Sequence, residues 1–162
     1  MQTYQGLKSL HHGVTEMRVA LVVARVGDER NVIQKLSLVL ADELRKQGEH
    51  VDVFPFNRRT LFKFFTYRKL RNYDCVLIAN VGLQCAYFSI CKRLGLIKKR
   101  FIAISFGSDI RATKNRLINL FNQISKPAID LLIVVNPDLL DIAKARGYQN
   151  AVYVPCWSEC LS

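Results

Sequence analysis

Short apolar segments alternate along the chain with segments in which hydrophobic residues recur every three or four positions. The apolar segments are rich in Val, Ile and Leu, which is typical of strands buried in a sheet. They cover residues 17–24, 50–56, 73–78, 100–106, 129–135 and 151–154. Segments with helical periodicity lie between most of them and end near residues 47, 94, 126 and 146. The pattern therefore predicts six strands and four helices.

Strands that alternate with single helices predict an α/β fold. We expect a Rossmann-like, doubly wound parallel sheet of about six strands with helices on both faces. The expected strand order is 3-2-1-4-5-6, with a binding crevice where the order reverses. That crevice would lie beside the loops that follow Arg25, Asn80, Phe106 and Val135. Residues 1–16 show no periodicity and are predicted to form a loose arm, which leaves 17–162 as a single domain.

Local signals mark where the helices begin and end. Gly48, Gly95 and Gly147 follow periodic segments and are predicted to terminate them. Asn136-Pro137-Asp138 is predicted to start the last helix, because Asn can cap backbone donors, Pro suits the first position and Asp complements the helix dipole. One face of the third helix carries Leu117, Leu120, Phe121 and Ile124.

Familiar nucleotide-binding and catalytic motifs are missing from the sequence. The turn after the first strand has one glycine, Gly27, where a dinucleotide site needs Gly-x-Gly-x-x-Gly, and no Gly-Lys-Ser or Gly-Lys-Thr triplet occurs. Asn80 stands where a phospho-receiver domain needs an aspartate. Some histidines and cysteines could be considered for a catalytic or zinc site, but they lack the partner residues that such a site needs. They are His11, His12, His50, Cys156 and Cys160. The sequence therefore predicts no metal and no cofactor.

Cysteine usage and hydropathy indicate a cytoplasmic protein. The chain has five cysteines, and Cys75, Cys85 and Cys91 lie inside apolar segments, where cysteine acts as a small hydrophobe. The apolar segments are shorter than the roughly 20 residues of a membrane-spanning helix. Peripheral association with the inner face of the membrane stays open as an alternative.

Positive charge is concentrated in two blocks, and the formal net charge is +11. Residues 53–73 contain no acid and carry Arg58, Arg59, Lys63, Arg68, Lys69 and Arg71. The second block consists of Lys92, Arg93, Lys98, Lys99 and Arg100. Such an imbalance indicates either a solubilising surface or an anionic partner, namely a phosphate group, an anionic membrane or, ranked last, nucleic acid.

Aromatic residues interleave with the first basic block. They are Phe54, Phe56, Phe62, Phe64, Phe65 and Tyr67. Rings beside cations are typical of a segment that lies at a membrane surface. The alternative is that most of these rings pack into the core and only the cations are exposed. The sequence leaves both interpretations open.

The loop after the fourth strand is the best candidate for a functional site. Gly107 permits a close backbone approach, and Asp109 and Arg111 place charges at the carboxyl end of a buried strand, where open parallel sheets bind ligands. The predicted site residues are Gly107, Ser108, Asp109, Arg111, Asn80 and Asn136. The alternative is that Asp109 caps the next helix and Arg111 is an ordinary surface residue.

Three pieces of the sequence carry a resemblance to a known family. Phe106-Gly107-Ser108-Asp109-Ile110-Arg111 is similar to the His-Gly-Ser-Asp-Ile-Arg loop in the N-terminal, acceptor-side domain of GT-B glycosyltransferases. Residues 129–140 resemble the strand and helix start that follow in that domain, and residues 153–155 resemble the place where it passes to its linker. The resemblance covers roughly the second half of the chain.

The resemblance implies the acceptor-binding half of an enzyme of polysaccharide biosynthesis that moves a sugar from a nucleotide-sugar to a glycan or lipid-linked acceptor. Asp109 would be the catalytic residue and orient a hydroxyl, while Arg111 would contact phosphate or pair with Asp109. Phe106 replaces the family's histidine and cannot accept a proton. No donor-binding domain follows in the given sequence, so we expect a second chain or a missing domain to supply the nucleotide-sugar, and little activity without it.

A noncatalytic role is the alternative function. In this interpretation the chain is a Rossmann-like module that binds an anionic membrane or nucleic acid through its basic aromatic face. The residues that would make this contact are Arg58, Arg59, Lys63, Arg68 and Lys69.

Overall fold

A computed structural model of the chain describes residues 16–24, 32–56, 68–107, 110–111 and 115–155. These residues form one parallel sheet of six strands. The strands are β1 (Arg18–Ala24), β2 (His50–Phe56), β3 (Cys75–Ala79), β4 (Arg100–Ser105), β5 (Leu131–Val134) and β6 (Ala151–Tyr153). The helices are α1 (Val32–Lys46), α2 (Leu83–Arg93), α3 (Arg116–Ser125) and α4 (Pro137–Ala145), with 3-10 turns at Arg68–Asn72 and Lys126–Ala128. The predicted Rossmann-like α/β fold is confirmed.

The predicted strand order was wrong. The observed order is β2-β1-β3-β4-β5-β6, so β3 pairs with β1 and not with the outer side of β2. After β2 the chain returns across β1 before it enters β3. Hydrophobic periodicity identifies which segments are strands, but it carries no information about the side of β1 on which the third strand will pair. The point where the order reverses therefore lies between β1 and β3.

The helices divide between the two faces of the sheet. Ala41 of α1 packs with Leu21 and Leu77 on one face. Phe88 of α2 and Leu139 of α4 lie in the cluster that covers the other face. Right-handed crossovers explain this division, because the chain moves one way along the sheet from β1 to β2 and the opposite way from β3 to β6. The predicted helix ends at Gly48, Gly95 and Gly147 are confirmed.

Helix α3 buries a different face from the one that its leucines suggest. Leu117 is 60% exposed and Leu120 is 48% exposed, whereas Asn122 and Ser125 are buried. The Tyr148 hydroxyl donates a 2.8 Å hydrogen bond to Oδ1 of Asn122. This contact satisfies the buried amide oxygen, so a polar residue can face the core.

Candidate functional site

Three strands end side by side at the carboxyl edge of the sheet. Asn80 directly follows β3, Gly107 lies two residues after β4, and Asn136 lies two residues after β5. The backbone N–H of Asn80 donates to the carbonyl of Ile104 at 2.9 Å, which continues the β3–β4 pairing beyond the strand end. The carboxyl ends of neighbouring parallel strands form the usual ligand edge of such a sheet. Three of the predicted site residues therefore lie on adjacent loops.

Gly107 is a buried residue whose φ angle is +121°. A Cβ atom at this position would lie 3.4 Å from Cδ1 of Leu139 and 3.8 Å from Nε of Arg111. The φ angle favours glycine here, whereas a Cβ would only reach ordinary contact distance from α4. The backbone of the loop consequently lies directly against the first turn of α4.

In the loop after β4, hydrogen bonds and burial fix the residues directly before Ser108 and directly after Asp109. The Gly107 N–H donates to Oγ of the buried Ser105 at 3.3 Å, and the Arg111 N–H donates to the Gly107 carbonyl at 3.0 Å. Ile110 is fully buried, so it anchors the far side of the loop in the core. Ser108 and Asp109 themselves lie outside the described residues.

Arg111 pairs with an acid on the neighbouring loop. Its Nη2 donates to Oδ2 of Asp138, in the first turn of α4, at 2.8 Å. The side chains are 55% and 57% exposed, so the pair is solvent-screened and a ligand could exchange with it. The resemblance also implies a pairing of Arg111 with Asp109, and this stays a prediction because Asp109 lies outside the described residues. Sequence reasoning missed Asp138 as a site residue because it interpreted Asn136-Pro137-Asp138 only as a helix start.

Asn80 has an unusual backbone conformation, with a φ angle of +103° in a non-glycine residue.

Gln84 connects the neighbouring α2 to the end of β3. It is a buried residue whose Nε2 donates to the Ala79 carbonyl. Gln84 Oε1 has no hydrogen-bond partner among the described residues. Sequence reasoning also missed Gln84, although a polar residue one position into an apolar helix was an available signal.

Asn136 occupies the N-cap position of α4 without capping it through its side chain. The predicted cap was therefore wrong in its chemistry, although the helix begins where predicted. The Leu139 N–H instead bonds to the Asn136 backbone carbonyl at 3.2 Å. Asn136 is exposed, so its amide lies at the edge of the sheet beside solvent.

The basic aromatic face is described in part. Arg68 and Lys69 are exposed on the 3-10 turn that Leu70 anchors in the core. Arg58, Arg59 and Lys63 lie outside the described residues, as do Phe62, Phe64, Phe65 and Tyr67.

The described rings of this face belong to the core. Phe56 is buried, and its ring centroid lies 5.6 Å from that of Phe88. Phe54 is partly buried and contacts Tyr73 edge-on, with ring centroids 5.5 Å apart. For these two rings the core-packing alternative is correct.

Two further properties concern the described part of the chain alone. Within it, no three histidine, cysteine or acidic side chains lie close enough together to bind a metal ion. None of its helices has the length and apolar character needed to cross a bilayer.

Compared with protein-family models and with curated proteins, the sequence matches neither a family model nor a curated protein.

Proposed function

We propose that the chain is the acceptor-binding half of a glycosyltransferase. In this proposal it holds a glycan or lipid-linked acceptor at the carboxyl edge of the sheet, while a second domain or chain binds the nucleotide-sugar. The observation that carries the proposal is the contact between two loops at that edge. Gly107 packs against Leu139, and Arg111 pairs with Asp138.

The two segments in contact are the segments with the strongest resemblance to the acceptor-side domain. Residues 106–111 and 129–140 are separated in sequence but follow or contain neighbouring strands, so their loops meet at the carboxyl edge of the sheet. Their meeting at the ligand edge supports a single site to which both contribute.

Each site residue has a chemical role in this proposal. Asp109 supplies a carboxylate that orients the attacking hydroxyl, and Arg111 supplies guanidinium donors for an acceptor phosphate. Asn80, Ser108 and Asn136 supply neutral polar groups for acceptor hydroxyls. Phe106 packs against the core cluster beside α1 and takes no part in proton transfer.

Replacement of Asp109 tests the catalytic assignment. The full chain is combined with its donor-binding partner, and transfer of labelled sugar is measured for the parent and for Asp109→Ala. We expect a loss of about 100-fold or more, the usual effect of removing a group that handles the reacting proton. The control is Asp141→Ala, which removes an exposed acid from α4. Transfer by Asp109→Ala at the parental rate would refute the assignment.

A noncatalytic module remains the second candidate, because the cations of the 3-10 turn are exposed together. Arg68, Lys69 and Arg71 line a shallow groove of about 350 Å³ with Asn72. In this alternative the basic face holds a cytoplasmic protein on an anionic membrane surface, with basic side chains at the headgroups.

Flotation with vesicles that contain phosphatidylserine distinguishes this candidate. The test variant replaces Arg58, Arg59, Lys63, Arg68 and Lys69 with glutamine. The matched control replaces five cations outside both basic blocks, namely Lys35, Lys46, Arg116, Lys144 and Arg146. The candidate predicts that only the first variant stops floating, and unchanged flotation of that variant rejects it.

A further inference from the structure

One face of the sheet is covered unevenly. Helix α1 packs over β1, β2 and β3, and the apolar residues beneath it, such as Leu21 and Val51, are buried. In the described ranges no other helix joins the core cluster on this face. Since α2 and α4 pack on the opposite face, no helix among the described residues covers the half of this face formed by β4, β5 and β6. Sheets of this class are normally covered on both sides.

The strand register gathers an apolar surface on that open half. Ile102 lies beside Leu131, and Ile133 lies beside Val152. The first three are partly exposed and Val152 is 40% exposed. On the opposite face of the same strands, by contrast, Phe101 and Leu132 are fully buried. Ile104 and Val135 on the same half are buried in the core cluster that α1 joins. Ile102, Leu131, Ile133 and Val152 are the neighbouring aliphatic side chains of this half that stay partly exposed, and we call them the open-face patch.

A depression of about 910 Å³ lies at the amino end of this surface, with Ile102 and Leu131 in its lining. Its two acids are already paired. Asp130 contacts Nζ of Lys92 at 2.5 Å, and Asp74 lies 3.7 Å from Nζ of Lys99. Each acid also accepts a backbone N–H, so both carboxylates already have partners in this structure.

Two cations in the lining have no such compensation. Lys98 and Arg100 are exposed, and neither forms an ion pair within the described residues. Arg100 stands two residues before Ile102 on β4, and alternation along a strand places both on the open face. The depression is consequently aliphatic at its floor and positively charged at its rim.

We propose that the open-face patch and its basic rim bind an amphipathic helical segment of another protein, one that carries acidic residues beside its apolar face. A helix is about 10 Å wide and is the element that usually covers such a sheet. Acidic side chains on the segment complement Lys98 and Arg100. A second copy of this chain fits less well, because both copies would carry a formal charge of +11.

This surface is separate from the proposed acceptor site. The depression lies at the amino ends of β4 and β5, whereas Gly107 and Asn136 follow the carboxyl ends of the same strands. A helix bound to the patch leaves the acceptor edge open. Binding of a helix to the patch therefore does not depend on whether the chain belongs to a glycosyltransferase.

Site-specific photocrosslinking tests the proposal in the native host. The photoreactive residue p-benzoylphenylalanine replaces Val152 in the full chain, and the crosslinked peptide is identified by mass spectrometry. The matched control carries the same residue at Leu117, which is 60% exposed on α3. We expect a defined adduct from position 152 and not from position 117. Its peptide should combine apolar residues at spacings of three and four with acidic residues.

A charge reversal decides whether the rim takes part. Lys98→Glu with Arg100→Glu should lower the yield of the adduct about tenfold, whereas Lys35→Glu with Lys144→Glu should leave it unchanged. Far-ultraviolet circular dichroism verifies that each variant is folded. No adduct from position 152, an adduct with a second copy or with lipid, or a yield insensitive to the rim reversal would overturn the proposal.

Discussion

The guanidinium of Arg111 donates a 2.8 Å hydrogen bond to the carboxylate of Asp138, across 27 positions of sequence. This bond joins the loop after β4 to the first turn of the helix after β5. The same two segments also pack together through Gly107 and Leu139. The candidate site is thus built from two loops that contact each other at one edge of the sheet.

The Arg111–Asp138 pair should contribute little to stability. Both side chains are more than half exposed, and exposed ion pairs contribute about 0.2–1 kcal/mol. A double-mutant cycle with Arg111→Gln and Asp138→Asn, measured by urea denaturation, should give a coupling energy in that range. The coupling should decrease in 1 M NaCl because salt screens exposed charges. No coupling at low salt would show that the pair does not persist in solution.

Gly107→Ala should destabilise the protein, because the φ angle of +121° lies in a region that L residues rarely adopt. The added Cβ would lie at an ordinary contact distance of 3.4 Å from Cδ1 of Leu139, so the strain comes from the backbone, and we expect a loss of about 1–2 kcal/mol. Gly48 has a φ angle of +93° with no atom within 4 Å of the added Cβ, so Gly48→Ala should cost about 1 kcal/mol for the same reason. Urea denaturation measures both losses, and a neutral or stabilising Gly107→Ala would contradict the backbone conformation described for Gly107.

A hydrogen bond between Tyr73 and Asp52 should make stability depend on pH at both extremes. The Tyr73 hydroxyl donates to Oδ2 of Asp52. This bond is the largest cause of the lowered pKa of the Asp52 carboxyl, and burial of the carboxyl opposes it. Burial is the largest cause of the raised pKa of the Tyr73 hydroxyl, and the same bond raises it further.

The signs of the two shifts determine the pH window. Asp52 has a lower pKa in the folded state, so its contribution is complete above about pH 4 and is lost as the pH falls further. Tyr73 has a higher pKa in the folded state, so its contribution is complete below about pH 10 and is lost as the pH rises.

Tyr73→Phe tests this window. It should cost about 1 kcal/mol at pH 7 and flatten the dependence at both ends, as measured by urea denaturation from pH 3 to pH 11. An unchanged pH profile would exclude the bond as its origin.

Three cysteines should be unreactive in the native protein. Cys75, Cys85 and Cys91 are buried. Burial raises the pKa of the Cys75 thiol to about 11, so about one molecule in a thousand carries the thiolate at pH 8. Burial likewise raises the pKa of Cys91. Labelling with iodoacetamide at pH 8, followed residue by residue with mass spectrometry, should modify these three only in denaturant. Rapid labelling of native Cys75 would contradict its buried position.

Local patterns predicted the elements well. Strand β2 has the predicted bounds, and α4 begins after Asn136 as predicted, because alternation and helix-start signals depend on neighbouring residues. The strand order was wrong, since pairing on one side of β1 or the other is decided by the whole sheet. The buried face of α3 could not be predicted either, because the partner of Asn122 is Tyr148, 26 positions away.

In the candidate site, too, features that depend on neighbouring residues could be predicted, whereas contacts between distant residues could not. Gly107 and Arg111 could be identified from the loop itself, because glycine and a charged residue at a strand end have local meaning. Asp138 was not identified as the partner of Arg111, although the predicted strand order already placed β4 beside β5, because neither loop alone determines where its side chains meet the other loop. The role of Asp109 stays a prediction.

The acceptor-half account is tested most directly by purification of the tagged full chain from its native host after a moderate salt wash. Proteins present in stoichiometric amounts are identified by mass spectrometry, and binding of nucleotide-sugars to the complex is then measured by calorimetry. The account predicts a second chain or domain that binds a nucleotide-sugar and supports sugar transfer. A preparation that binds no nucleotide-sugar, whether the full chain purifies alone or with partners, would contradict it.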